Sequence, residues 1–438
     1  MDDQQDVNTI NIARIIMKNH HYKTIRDTED LYYYGDGYYQ IDGNNTRIKE
    51  IIQSILQDKT TNHIVIEIIA AVQRMTYVDR DEFDSDPYII NVKNGLLHIS
   101  PKDSKFLTLE KHTPKYLSMI QFDVDFDLDT DTNNLIGELR RHLDYENYIK
   151  FIEMLGTLLI RDRLPQKVYF LYGPPNTLKS TMMRRVQQTI GQEFYANTKL
   201  KSLYDDWRMI ISLRGKIFNY EDDIDNQQNH KYIIDILKKL IGGIGETTID
   251  VKYKSPQKFQ NRSTIIASMN TLPYIDYNDP GIHKRLIIIT FDYPIERVDT
   301  SEINRVISNS EKSEFMMLAI AGYLRLHENN YRYSYEKSID DKMNDYVLMK
   351  DPLKYFIDNY LRYNPDDEEI GVSKKVLMSR YESFCLENNL IIPKHSAFMS
   401  RRLKRVFDGI EDKKPASKTG KKRESIWVGL SLVSESLS

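Results

Sequence analysis

One cysteine in 438 residues, Cys385, leaves no internal disulfide framework to build on and suits a reducing cytoplasm. It stands among Val376, Leu377, Tyr381 and Phe384 at helical spacing, so a buried, inert thiol is expected. Histidine is scattered: ten residues beside a single cysteine assemble no zinc-type cluster at the usual spacings. The tandem His20-His21 reads as solvated surface. Long apolar runs are missing too. "IVIEIIAAV" (64–72) is about half a membrane span and carries Glu67. The N-terminal "MDDQQDVNTI" is acidic and lacks the apolar centre of a signal peptide. A soluble, cytoplasmic chain with no membrane partner is expected. Charge of one sign is not in excess either. The net charge is −3, so any nucleic-acid surface must be local. What remains, 40% hydrophobic and 29% charged, is the composition of a globular protein able to bury real cores.

The length favours about two to four domains. Residues 1–132 read as a mixed α/β module. "NIARIIMKNH" and "RIKEIIQSILQ" carry apolar residues at helical spacing, whereas "LYYYGDGYYQIDGNN" alternates and turns like a strand pair. "YIINVKNGLLHIS" is a second hairpin, turning at Lys93-Asn94-Gly95. "FDVDFDLDTDT" (122–132) places acids at alternate positions. Such aspartates can bind metal, but like charges this dense resist packing, and a solvated acidic linker is the expectation. Residues 133–345 form a central block. There "VYFLY" (168–172), "KIFNY" (216–220), "TIIAS" (264–268) and "LIIITF" (286–291) read as buried strands of a largely parallel sheet. Helices are expected at 179–190, stopped by Gly191, and at 231–241, stopped by Gly242-Gly243. Strands alternating with helices predict an α/β nucleotide-binding domain.

The chemistry concentrates in that block. Gly173, Pro174, Pro175, Asn176, Thr177, Leu178, Lys179, Ser180 and Thr181 follow a buried strand and open a helix. Backbone N–H groups there point at an anion, Lys179 can reach its phosphates and Ser180 offers a hydroxyl to Mg²⁺. Leu178 stands where the G-x-x-x-x-G-K-[ST] pattern wants glycine. It is accommodated if its side chain turns toward the core. The next strand ends in "NYEDDI", which assigns Asp222 to the metal and Asp223 to the attacking water, with Glu221 able to substitute in either role. Asn270 ends the third strand, on the edge where parallel sheets bind ligands. Arg285, or Lys284, precedes the fourth and suits an arginine finger given to a neighbour's ATP. "TTIDVKYKSPQKFQNR" carries Lys252, Lys254, Lys258 and Arg262 around Tyr253, a basic hairpin suited to a nucleic-acid backbone.

In this order these residues resemble superfamily 3 helicases, and more narrowly the poxvirus-type and phage- or plasmid-type primase–helicases. "GPPN" with Lys179-Ser180, "LRGKIFNYEDDI", "SMNTLP", "HKRLIIITF" and "VKYKSPQKF" are similar to that family's phosphate loop, Walker B, motif C, arginine-finger strand and DNA hairpin. "YIINVKNGLLHI" is similar to a stretch upstream of its ATPase core. The resemblance implies an AAA+-like P-loop ATPase core that binds ATP and Mg²⁺. It further implies a hexameric ring, 3′–5′ movement on single-stranded DNA by way of Lys252 and Lys254, and Arg285 acting in trans. Leu178 departs from the family glycine, and Asp223 stands where relatives often carry glutamate. No segment is left for a primase domain, so priming would fall to a separate primase.

Residues 346–438 read as a winged helix. "VSKKVLMSRYESFCLENN" and "KHSAFMSRRLKRVF" are amphipathic helices. In the second, Phe398, Leu403 and Phe407 face a core while Arg401, Arg402, Lys404 and Arg405 face outward. A basic loop with Lys421, Lys422 and Arg423 and the strand "SIWVGLSL" follow, the order of recognition helix and wing on duplex DNA, as at a replication origin. The expected function is ATP-driven DNA unwinding in replication of a virus, plasmid or other mobile element. The alternative is a replication initiator or DNA-binding scaffold whose ATP site Leu178 has weakened.

Overall fold

Strands covered on both faces have no polar side to show, and the unbroken apolar runs of the central block form such strands. The structure is a computed structural model and describes residues 8–100, 107–159, 167–224, 231–242, 247–249, 257–259, 261–273, 275, 280–294, 305–388, 390, 392–393, 397–413 and 425–433. Chain contacts divide it into two compact units, Met1–Asn270 with Arg285–Glu336, and Thr271–Lys284 with Lys337–Ser438. This differs from a three-part division: residues 1–132 are not set apart from the central block, and residues 271–284 belong with the C-terminal part. No helix among the described residues is long and apolar enough to cross a membrane.

The first unit opens with α1 (Thr9–Asn19), the strands β1 (Tyr22–Ile25), β2 (Leu31–Gly35) and β3 (Tyr38–Ile41), and the helices α2 (Thr46–Leu56) and α3 (Asn62–Thr76). With β4 (Tyr77–Val78) these strands make a sheet of order β3-β2-β1-β4. The hairpin between β2 and β3 turns at Asp36-Gly37. A second, antiparallel sheet holds β5 (Ile89–Val92), β6 (Gly95–Ile99) and β7 (Leu107–Glu110), in that order. Val92 pairs with Gly95, so the turn sits at Lys93-Asn94.

The aspartate run that follows is not a solvated linker. Phe122, Val124 and Phe126 are 5%, 0% and 3% exposed and belong to the main core. The alternation that puts acids outward puts apolar side chains inward. Asp123 pairs with Lys93 and Lys312, while the Asp125 amide donates to Asn309 Oδ1 at 2.8 Å. Charge neutralisation on one face and burial on the other overcome the repulsion that the acids alone imply.

Helices α4 (Asn133–His142) and α5 (Tyr145–Thr157) lead into the central sheet. Its strands are β8 (Val168–Tyr172), β9 (Tyr195–Ala196), β10 (Phe218–Glu221), β13 (Thr264–Met269) and β14 (Leu286–Thr290). Their order is β14-β8-β13-β10-β9, and every pairing is parallel. Strand β9, two residues long, escapes any reading of apolar runs. Helices α6 (Lys179–Ile190), α7 (Leu200–Asp205) and α8 (Lys231–Gly242) connect the strands, α6 ending at Gly191 with φ 97°. Strands β11 (Thr247–Ile249) and β12 (Gln257–Phe259) pair antiparallel as a hairpin. Lys252, Tyr253 and Lys254 lie between them, outside the described residues. Lys258 is on β12, opposite Thr248.

The second unit takes α9 (Pro280–Arg285) up to Lys284. After α10 (Asn309–Glu328) of the first unit, it resumes with α11 (Ile339–Lys350), α12 (Pro352–Tyr360), β15 (Leu361–Tyr363) and β16 (Gly371–Ser373). There follow α13 (Lys374–Glu387), α14 (Ala397–Val406), β17 (Asp412–Lys413), β18 (Ile426–Val428) and β19 (Leu430–Leu432). The sheet order β16-β18-β17 puts the last of these three strands between the other two, and β15 pairs with β19. Phe356, Phe384, Cys385, Leu403 and Trp427 are at most 1% exposed at its core. Tyr346 Oη and Lys350 Nζ on α11 donate to the carbonyls of Pro273 and Leu272, which ties the 271–273 stretch into this unit.

Helices α5 and α10 cross where each has a glycine. A Cβ on Gly322 would lie 1.8 Å from the Ile152 carbonyl oxygen, and one on Gly156 would lie 2.4 Å from the Tyr323 nitrogen. Backbone cannot yield as a flexible side chain can. Gly322→Ala is therefore expected to cost on the order of 3 kcal/mol. Gly137→Ala, in exposed α4 with open space at its Cβ, should gain about 0.5–1 kcal/mol. Denaturation midpoints of the two variants check both signs.

Candidate functional site

The loop between β8 and α6 is shaped by three residues with positive φ. Gly173 (φ 151°) lies where a Cβ would fall 2.2 Å from the Phe291 carbonyl oxygen, so glycine is required by a close approach of β14's end. Asn176 (φ 63°) is exposed, and asparagine is tolerant of the left-handed region. Leu178 (φ 65°, ψ 6°) takes the conformation for which the pattern reserves glycine. A leucine there costs about 1–2 kcal/mol of backbone strain. Its side chain packs against the main core, the orientation the sequence requires of it.

The loop closes on a lysine. Lys179 Nζ donates to the carbonyls of Gly173 and Pro174 at 2.8 Å each and to Thr177 Oγ1 at 2.9 Å, and lies 3.4 Å from Asn270 Oδ1. Thr177 is 1% exposed and donates in turn to the Pro174 carbonyl. Burial lowers the Lys179 ammonium to a pKa of about 8, against the opposing pull of Asp222 and Asp223. Pro175 is exposed at the loop tip. Ser180 and Thr181 lie in the first turn of α6, whose amide N–H groups have no helical partner.

Side-chain alternation along β10 divides its residues between two tasks. On one face, the Asn219 amide clasps Thr198, accepting from its N–H at 2.8 Å and donating to its carbonyl at 2.9 Å. Glu221 shares that face and accepts from the Leu200 amide at 2.7 Å, at the start of α7. Burial raises its pKa. Glu221 is thus engaged at the start of α7, on the strand face opposite Asp222. On the other face, Asp222 Oδ1 accepts from Ser180 Oγ at 2.7 Å, Ser268 Oγ at 2.6 Å and Tyr220 Oη at 3.0 Å. Asp223 follows at φ 52°, its amide donating to Ser268 Oγ at 3.1 Å and its carboxylate 3.5 Å from Asn270 Nδ2.

Lys179, Ser180, Asp222, Asp223 and Asn270 therefore meet at one edge of the sheet, along with Tyr220 and Ser268, which the motif reading missed. Their signal was spacing: each stands two residues before a site residue, on the same strand face. Arg285 is not among them. Leu286 pairs with Val168, which puts Arg285 level with Lys167, about 20 Å from Gly173 along the strand.

On α14, Arg401, Lys404 and Arg405 are exposed while Leu403 is buried and Phe398 and Phe407 pack on the core. Lys404 lies 3.7 Å from Asp412. Arg402 corrects the outward-facing reading. It pairs with Asp351, whose other oxygen accepts from the Lys354 amide at the start of α12, so it ties two helices of the unit together. Helical spacing groups Arg402 with its basic neighbours and carries no sign of a partner fifty-one residues away. Lys421, Lys422 and Arg423 lie outside the described residues.

Residues 13–154 match a family model described as "D5 N terminal like", and residues 171–285 match a "Family of unknown function (DUF5906)". One solved structure, "The A form apo structure of NrS-1 C terminal region-CTR", superposes with a TM-score of 0.51 over 95% of this chain and 98% of that one, at 13% identity. It shares the mixed α/β fold. "The apo structure of NrS-1 C terminal region (305-718)" has a TM-score of 0.49, 12% identity, and coverage of 97% and 100%. A Lon protease homolog, mitochondrial, from Phaeodactylum tricornutum is 21% identical over 168 residues, 34% of this chain. The chain spans about a fifth of that protein, 19% of its length.

Leu178 tests the loop directly. Leu178→Gly should leave stability within about 1 kcal/mol, relief of strain offsetting lost apolar burial. Leu178→Val keeps most of the burial but puts a β-branched residue at this φ, and should lose about 1–2 kcal/mol. Thermal unfolding of the pair checks the order.

Proposed function

We propose that this chain is an ATP-driven DNA helicase of the superfamily 3 type, acting in the replication of a virus, phage or other mobile element. The observation that carries the reading is the convergence of Lys179, Ser180, Asp222 and Asn270 at the carboxyl ends of β8, β10 and β13. A parallel sheet with the order β14-β8-β13-β10-β9, its loop-bearing strand separated from its acidic strand by one other, supports the AAA+-like P-loop core that the sequence resemblance implies.

The donor set fits Mg²⁺-ATP. Among the described residues no group of three or more His, Cys, Asp or Glu could hold a metal. Ser180 and Asp222 instead offer hard oxygen atoms to an ion that keeps water and phosphate as its other ligands. Bound ATP would supply the phosphoryl group whose transfer to water drives the motor. The residues divide the rest of the work. First-turn amides of α6 bind phosphate, and Lys179 leaves the carbonyls of Gly173 and Pro174 to meet its charge. Asp223 accepts a proton from water that Asn270 orients. Arg285 lies too far along β14 to serve its own loop, the situation expected of a finger donated to the next subunit of a hexameric ring. The β11–β12 hairpin would carry Lys252 and Lys254 on single-stranded DNA, moving 3′–5′. Within the second unit the succession α12, β16, α13, α14, β17 and β18, with its β16-β18-β17 sheet, supports a winged helix. Arg401, Lys404 and Arg405 would meet duplex DNA there.

Hydrolysis of ATP by the purified chain, with and without single-stranded DNA, is the decisive measurement. DNA-stimulated turnover that Lys179→Ala reduces by at least about 100-fold is expected. Absent turnover in the wild type, restored by Leu178→Gly, would make the chain a replication scaffold that holds DNA without a working motor.

Acidity gives a second check. Phosphate raises the pKa of Lys179 on binding, so nucleotide binding takes up a proton wherever the free chain has lost it. Affinity should be flat below pH of about 8 and fall as pH rises through that value. Calorimetric titrations on both sides of it, in buffers of different ionisation enthalpy, measure the slope and the proton together.

A further inference from the structure

Three hydroxyl groups crowd one carboxylate oxygen. Ser180, Ser268 and Tyr220 all lie within 3.0 Å of Asp222 Oδ1, and no hydrogen bond to Oδ2 is made among the described residues. Ser180 belongs to the phosphate loop of the proposed ATP site. Ser268 and Tyr220 have no place in that motif, are 2% and 5% exposed, and cannot themselves reach a ligand in solvent.

The proton count fixes what they do. Ser268 Oγ has one proton, and Asp222 Oδ1 at 2.6 Å takes it. Its lone pairs remain, and the Asp223 amide donates to one of them at 3.1 Å. Tyr220 Oη, at 3.0 Å from Asp222 and 3.1 Å from Ser268, donates to either. A phenol this buried and this near a carboxylate keeps its proton. One serine on β13 therefore grips two consecutive aspartates beyond the end of β10, the first by its side chain and the second by its backbone. The Asp223 backbone is at φ 52°, a conformation that a free chain leaves readily.

We propose that Ser268, backed by Tyr220, is the positioning residue of this site: it turns Asp222 so that Oδ1 is satisfied by protein and Oδ2 would be left to hold a metal ion, and it fixes Asp223 in the left-handed turn that aims its carboxylate at Asn270. The inference rests on the ATP-site reading and names residues that reading does not use.

Hydrogen exchange and metal binding test it with Ser268→Ala and Tyr220→Phe. In the nucleotide-free chain, Ser268→Ala should speed exchange of the Asp223 amide, whereas Tyr220→Phe should leave it protected. Mn²⁺, followed by its electron paramagnetic resonance in the presence of a non-hydrolysable ATP analogue, should bind about tenfold more weakly to Ser268→Ala. Tyr220→Phe should weaken it by about threefold, with metal-free nucleotide affinity unchanged in both. A wild type that takes up Mn²⁺ with nucleotide while both variants match it overturns the inference alone. A wild type that takes up none overturns the ATP-site reading and this inference with it. Loss of metal binding without faster exchange at Asp223 overturns the claim that Ser268 holds the second aspartate.

Discussion

The position of β13 between β8 and β10 is the constraint on which the site depends. All pairings in that sheet are parallel, so the carboxyl ends of three strands from distant parts of the chain open on one edge. β8 ends in the loop, β10 in the aspartates and β13 in Asn270. A lysine and a carboxylate that close would form a direct ion pair if their strands were neighbours. The intervening strand keeps them apart, and Ser268 and Asn270 fill the interval with hydrogen bonds. The gap that results is bordered by positive charge, by carboxylate and by unpartnered helix amides.

The sheet's back is held with little tolerance. Gly156 and Gly322 let α5 and α10 approach to backbone contact. Glu153, fully buried on α5, accepts from Arg325 Nε at 3.1 Å and from the Ser334 amide at 3.0 Å. Tyr169, at the start of the loop-bearing strand, donates to Tyr333 Oη at 2.8 Å. A buried carboxylate stripped of its arginine is costly, so this end of β8 is fixed through side chains with few alternatives. The loop, by contrast, holds Leu178 in a strained conformation. Rigidity at one end of a strand permits strain at the other.

Much of this was legible in the sequence where one local rule decided the outcome. Apolar runs located four of the five central strands, Gly191 ended α6 and Lys93-Asn94 turned a hairpin. The strand-to-helix setting of Lys179-Ser180 located the site. Where two rules competed, the less local one won. Repulsion among aspartates argued for a linker at 122–132, but the period-two burial of Phe122, Val124 and Phe126 made it part of the core. Basic residues on α14 looked uniform, but Asp351 had claimed Arg402. Glu221 and Asp222 were interchangeable as letters, and strand alternation separated them. Motif reading passed over Tyr220 and Ser268, each two residues before a site residue, and the pairing of Ser268 with Asp222 is set by strand order, which no single segment encodes.

The route of the chain after Asn270 has a consequence for ancestry. Thr271–Lys284 folds with the second unit, and Arg285 returns to the first. Asn270 and Arg285 of the first unit thus bracket a stretch that belongs to the second, and α11 secures its start through Tyr346 and Lys350. A recombination event that grafted the C-terminal unit from a relative would import α11 but leave its inserted counterpart behind. Exchange of the second unit for a foreign equivalent therefore succeeds only when residues 271–284 travel with it.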